Sequence, residues 1–203
     1  MQQDYKYSTF SAAATGEFKD RGSRFIAYAY PVNNAIEIKD ILKALKKEHP
    51  KAVHHCYAYR LGTDGNNFRA NDDGEPSGSA AKPILGQIDS LGITNVLVVV
   101  VRYFGGTLLG VPGLINAFKT ATANALSQIP LIQKWMESLY LLQFDYPLMG
   151  EVLYILKQNE ATIYKQNLQL FCEIKAGIPL QYLHACLAKL SEMHTLKIDA
   201  IID

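Results

Sequence analysis

The chain is expected to be a mixed α/β (α+β) protein of two domains, and three observations lead there. Apolar and aromatic runs of strand length alternate with stretches whose apolar residues recur at helical spacing. Beyond Pro130 the pattern settles into β-α-β-β-α-β, the order of a ferredoxin-like domain. Between the two parts, Ile129-Pro130 stops a helical pattern, because a residue before proline disfavours the helical region. The boundary is therefore expected at about residue 133, with residues 1–132 as one domain and 133–203 as the other.

In the first part, residues 9–14 form a short strand. Residues 25–30 (FIAYAY) and 53–59 (VHHCYAY) form strands rich in aromatic and small residues. Between these, Ile38, Ile41, Leu42 and Leu45 follow the spacing of a buried helix face, with Lys39, Lys43, Lys46 and Lys47 largely off it. Asn34 and Glu37 form the capping pair of that helix. Residues 62–79 are polar and Gly-rich and predict an exposed, mobile loop. The next helix buries Ile84, Leu85, Ile88 and Leu91, and tolerates Pro83 in its first turn. After an apolar strand over 96–104, Pro112 marks the start of a helix packed through Leu114, Phe118, Ala121 and Ala125. In the second part, strands are expected at 139–145, 162–165, 168–174 and 196–202. Helices are expected at 148–158 and 179–192, and a hairpin turn at Gln166-Asn167.

At 203 residues and 49% hydrophobic, the chain can bury real cores. Its net charge of +1 excludes neither nucleic acid nor protein partners. Residues 1–130 hold 14 Lys+Arg against 11 Asp+Glu, and the remainder 6 against 8, an asymmetry too small for a strongly basic nucleic-acid domain. The start, MQQDYKYSTF, lacks a secretion pattern, and no apolar run reaches membrane-spanning length. Cys56, Cys172 and Cys186 are odd in number and widely spaced, so no disulfide framework is expected. These features predict a soluble, cytoplasmic protein with no membrane partner.

Two unusual loops bracket the 96–104 strand: residues 72–83 (DDGEPSGSAAKP) and 105–113 (GGTLLGVPG). Each runs into a helix whose first amides are free to receive an anion. Ser77, Gly78 and Ser79 of the first loop, and Gly105, Gly106, Gly110 and Gly113 of the second, are the candidate ligand or anion contacts. The alternative role for a serine there is helix capping. Neither loop is a Walker A or G-x-G-x-x-G sequence, so no nucleotide cofactor is expected. Arg102, arriving at the second loop, can bind an anion or pair with Asp72, Asp73 or Glu75 to pin the first loop down. If it serves a ligand, replacing it leaves the melting temperature within a few degrees; a large drop marks it as scaffold.

Asp72, Asp73 and Glu75 place three carboxylates within four positions, suited to Mg²⁺, to a basic partner surface, or to a solvated turn. His54 and Cys56 share one side of a strand, where a nucleophilic pair competes with a buried thiol beside a hydrogen-bonded histidine. No catalytic residue is assigned.

The phrases GSRFIAYAYPV, HHCYAYR, DDGEPSGSAAKPIL and VVVVRYFGGTLLGVPGL resemble the YigZ/IMPACT family, over nearly the whole chain. The resemblance implies an N-terminal domain of the ribosomal-protein-S5-domain-2-like fold and a ferredoxin-like C-terminal domain like domain V of the translocation factor EF-G. Eukaryotic IMPACT regulates translation through an extra N-terminal domain that this sequence lacks, so that role does not carry over; for bacterial members the fold implies contact with RNA, the ribosome or a translation-related protein. This chain departs from the family loop RYFGG-x-K-L-G by carrying Leu108 at the lysine place, which weakens any anion grip there; Pro112 stiffens the same loop. The expected function is non-catalytic regulation or binding near translation, through residues 72–79, Arg102 and residues 105–113. The alternative is a metal-dependent enzyme acting on a small phosphorylated substrate.

Overall fold

The computed structural model describes residues 5–63 and 66–201. They divide into a first unit, Tyr7–Lys134, and a second that runs from Trp135 and takes in Tyr5 and Lys6.

The first unit is built on β6 (Val96–Tyr103), whose residues are buried through Arg102. It lies at the centre of a five-stranded antiparallel sheet with β2 (Ala14–Asp20), β3 (Ser23–Pro31), β4 (His54–Leu61) and β5 (Asn67–Asn71), in the order β2-β3-β6-β4-β5. Its near-continuous apolar run follows from helices covering both faces. Val96, Val98 and Val100 join the core beneath α2 (Ala81–Ser90) and α3 (Gly110–Leu126). Leu97, Val99 and Val101 face α1 (Ala35–Glu48). Phe25 and Phe118 meet edge to face at 5.1 Å in the first of these cores. The Asn34 side chain accepts from Ile36 N and Glu37 N, while Glu37 answers Asn33 N, which is the expected capping pair.

The strands depart from expectation at three places. Residues 9–14 join two strands, β1 (Lys6–Thr9) and β2, instead of forming one. The β2–β3 hairpin turns through Arg21 and Gly22 at φ 44° and 78°, the left-handed pair that tight hairpins favour. The 62–79 segment contains β5, an outer strand whose side chains are mostly exposed, so burial left no alternating signature there. β7 (Ile132–Trp135) pairs with β1 in a separate two-stranded sheet.

The second unit contains β8 (Glu137–Asp145), α4 (Met149–Gln158), β9 (Thr162–Leu168), β10 (Phe171–Pro179), α5 (Leu183–Ser191) and β11 (Lys197–Ile201). Its antiparallel sheet has the order β11-β8-β10-β9, so the β-α-β-β-α-β expectation holds. The hairpin turn falls at 169–170 instead of 166–167, because Cys172, Ile174, Ala176 and Ile178 must all face the helices. Pro179 ends β10 opposite Glu137, so α5 starts four residues later than expected; a strand end tolerates a residue without an N–H.

Gly16 on β2 lies under α3, where a Cβ would stand 2.2 Å from the Ala125 amide nitrogen. Gly16→Ala is expected to cost about 1–3 kcal/mol or more, read from urea unfolding, because backbone cannot retreat as a side chain can.

Candidate functional site

Phe25, Arg102 and His54 stand abreast on β3, β6 and β4 at one end of the first sheet. Antiparallel partners share a face, so all three side chains point to the α2–α3 side. Residues 72–79 fold over this end, and residues 104–109 leave from it.

Of the two roles open to Arg102, the structure has the internal pair. Its Nη1 donates to Glu75 Oε1 at 2.5 Å, with side chains 7% and 2% exposed. The guanidinium lies 5.4 Å from the Phe25 ring and 5.7 Å from the Phe104 ring. Arg102 Nε is buried without a hydrogen-bond partner among the described residues. Removing the cation would leave the Glu75 carboxylate buried and unpaired, a cost of about 3–5 kcal/mol. The expectation that Arg102 can be lost with little change in melting temperature therefore gives way to its scaffold alternative.

His54 donates from Nδ1 to the Asp73 carbonyl at 2.7 Å, since a carbonyl only accepts. That leaves Nε2 facing Glu75 Oε1 at 3.6 Å. Cys56 is fully buried, and its thiol donates to the Asp72 carbonyl at 3.0 Å. Burial, helped by the carboxylates of Glu75, Asp73 and Asp72, pushes the thiol far above its ordinary range. Of the two readings of this pair, the buried thiol beside a hydrogen-bonded histidine is the one present.

The first loop is tied from within. The Asp72 carboxylate accepts from the amides of Gly78 (2.9 Å), Ala80 (3.1 Å) and Ala81 (2.8 Å), and so occupies the start of α2. The α2 amides expected to be open are thus filled by a carboxylate of the same loop. The Asp73 carboxylate accepts from His55 N at 2.7 Å and lies 3.6 Å from Lys46 Nζ. Ser77 is exposed, Gly78 has a positive φ with open space beside it, and Ser79 is fully buried with no partner for its hydroxyl. Ser79 is not the helix cap, because Asp72 caps from outside the helix. No group of three or more His, Cys, Asp or Glu among the described residues is arranged to hold a metal ion.

The second loop is held at its base and open at its tip. Gly105 N donates to Ser23 Oγ at 3.1 Å, and a Cβ on Gly105 would stand 1.9 Å from the Gly22 backbone. Gly106 is exposed with nothing near it, and Gly110 begins α3 at φ 69°. Gly113 packs against Leu109, where a Cβ would be 3.0 Å from the Leu109 side chain. Pro112 is the third residue of α3, and no side chain caps that helix. Leu108 is 82% exposed, with Phe104, Val111 and Ile115 also open to solvent. Sequence reasoning missed this apolar rim, although Val111 and Ile115 follow helical spacing and Leu108 precedes them in the loop. It also missed the Gly22–Ser23 contact, whose signal was the Arg21-Gly22 turn.

Asp72→Ala is expected to destabilise the first unit by about 2 kcal/mol or more, as loss of a charged cap with several amide partners should. Thermal or urea unfolding reads it directly; an unchanged midpoint would mean that the loop holds without its carboxylate.

The sequence pattern of the Impact N-terminal domain matches residues 21–126, which take in four of the sheet's five strands, β3 to β6, and both loops. IMPACT family member YigZ of Escherichia coli (strain K12) is 33% identical over 172 residues, 84% of this chain and 84% of that protein. Protein IMPACT of Xenopus laevis is 40% identical over 114 residues, 54% of this chain and 36% of that protein. The crystal structure of a hypothetical protein, 30% identical, covers 99% of this chain and 100% of its own with a TM-score of 0.74. This chain belongs to the IMPACT family.

Proposed function

We propose that this protein is a non-catalytic regulator that works by binding a protein of the translation apparatus, in the cytoplasm, through the apolar rim at the end of the first sheet. The observation that carries the reading is a division of labour at that end. The reactive groups are spent inside: Glu75 on Arg102, Asp72 on three amides, Asp73 on His55 N, and the Cys56 thiol on a carbonyl. What faces outward is Phe104, Leu108, Val111 and Ile115 on a loop and helix start anchored by Gly105. Exposed apolar side chains along one loop and the helix start that follows it favour a protein surface over a phosphate. Leu108 at the expected lysine place points the same way. Family membership supports the connection with translation, as the sequence resemblance implied. No helix among the described residues is long and apolar enough to cross a membrane.

What supports binding over the enzyme alternative is that the Asp72, Asp73 and Glu75 carboxylates each already have a protein partner. Leu108→Asp combined with Val111→Asp tests the binding reading. Both sites are exposed, so the melting temperature should stay within a few degrees. Co-sedimentation with purified bacterial ribosomes, or with the translation factors they recruit, should fall at least tenfold for the variant, with or without nuclease treatment. Association equal to that of the original chain would end the proposal.

A further inference from the structure

The opposite face of the first sheet holds a second surface, independent of the rim. At 3.6 residues per turn, Lys39, Lys43 and Lys46 of α1 fall within about 60° of one another around the helix axis. All three are exposed, while Ile38 and Leu45 point into the sheet. Lys46 lies 3.6 Å from Asp73, just past β5, which fixes this flank on the β4–β5 side. The other flank carries Glu48. Burial, and then the nearby charge of Glu48, push the Tyr28 and Tyr30 phenols up on β3. The helix therefore separates its charges, basic toward β5 and acidic toward β3.

Beside the basic flank, Tyr57 and Tyr59 of β4 pack against the α1 core and are half-buried. Their rings are parallel to within 4°, with centroids 6.5 Å apart. Arg69 of β5 sits directly opposite Tyr59, and Asn71 opposite Tyr57, on the same face. Arg69 is exposed, and β5 is the outer strand of the sheet. One face of the sheet thus carries exposed lysines on α1, two parallel aromatic rings on β4 and an exposed arginine on the outer strand β5.

The geometry points to a binding surface for single-stranded RNA, with Lys39, Lys43 and Arg69 on phosphates and the Tyr57–Tyr59 pair stacking bases. A cationic track beside aromatic faces suits unpaired bases, since a duplex hides the base faces that stack. An acidic peptide would satisfy the lysines but leave the parallel rings without a planar partner. The choice of RNA over other single strands rests on the reading above that the protein acts with the translation apparatus; the surface itself does not depend on the rim.

Fluorescence anisotropy with a labelled oligouridylate, titrated across a range of salt, tests the assignment. Lys39→Glu with Lys43→Glu should weaken binding at least tenfold. It should also make the salt dependence shallower by about 1.4 in log–log slope, as loss of two single-strand phosphate contacts does. Tyr59→Leu, which keeps an apolar group over the core, should weaken binding about tenfold with the slope unchanged. Leu108→Asp with Val111→Asp should leave oligouridylate binding intact, so the two proposals fail separately. The assignment is overturned if the original chain does not bind, if the lysine pair binds equally well, or if duplex RNA or a polyglutamate peptide is preferred. Should Tyr59→Leu fail to fold, the lysine pair and its slope decide alone.

Discussion

A guanidinium buried at the end of an apolar strand must find a counter-charge, and the Arg102–Glu75 pair answers that requirement. Everything at this end of the first sheet is arranged around it. Glu75 can reach Arg102 only if residues 72–79 cross the sheet end. That crossing brings Asp72 to the amides of Gly78, Ala80 and Ala81, and the Asp73 carbonyl to His54. The Phe25 and Phe104 rings both lie near the cation, at 5.4 and 5.7 Å. Compared with apolar residues of similar volume, such a pair contributes little net stability. What it contributes is one conformation for a loop that glycine and serine would otherwise leave with many.

This arrangement separates structure from contact. The Asp72, Asp73 and Glu75 carboxylates and the Cys56 thiol each have a protein partner, and the large side chains open to solvent on the second loop and the start of α3 are apolar. The two glycines in closest backbone approach, Gly22 and Gly105, anchor the rim without adding chemistry to it. On the far face, α1 carries its lysines toward β5 and Glu48 toward β3, so the sheet offers two outward surfaces of different character.

Where burial imposed a period, the sequence was readable. The β6 strand, the α1 stripe with its Asn34–Glu37 cap, and the β-α-β-β-α-β order of the second unit all follow from alternation or helical spacing. Legibility failed where exposure removed the period, as in β5 and in the short β1 and β7. The hairpin turn in the second unit was displaced because Gln166 and Asn167 are good turn residues locally, and the core demand of Cys172 and Ile174 prevailed. At the end of the first sheet, sequence reasoning singled out Arg102 and the three carboxylates of the first loop and could not choose between their roles. An Arg beside three carboxylates permits both a ligand and an internal partner, and only the register of β3, β6 and β4 decides between them.

The central claim is that Arg102 and Glu75 act as one unit holding the loop. A double-mutant cycle with Arg102→Met and Glu75→Gln, followed by urea unfolding, measures that coupling. Each single substitution should destabilise strongly, and the double should recover about 2–3 kcal/mol relative to their sum. Additive losses, within about 0.5 kcal/mol, would contradict it and return Arg102 to the role of a ligand contact.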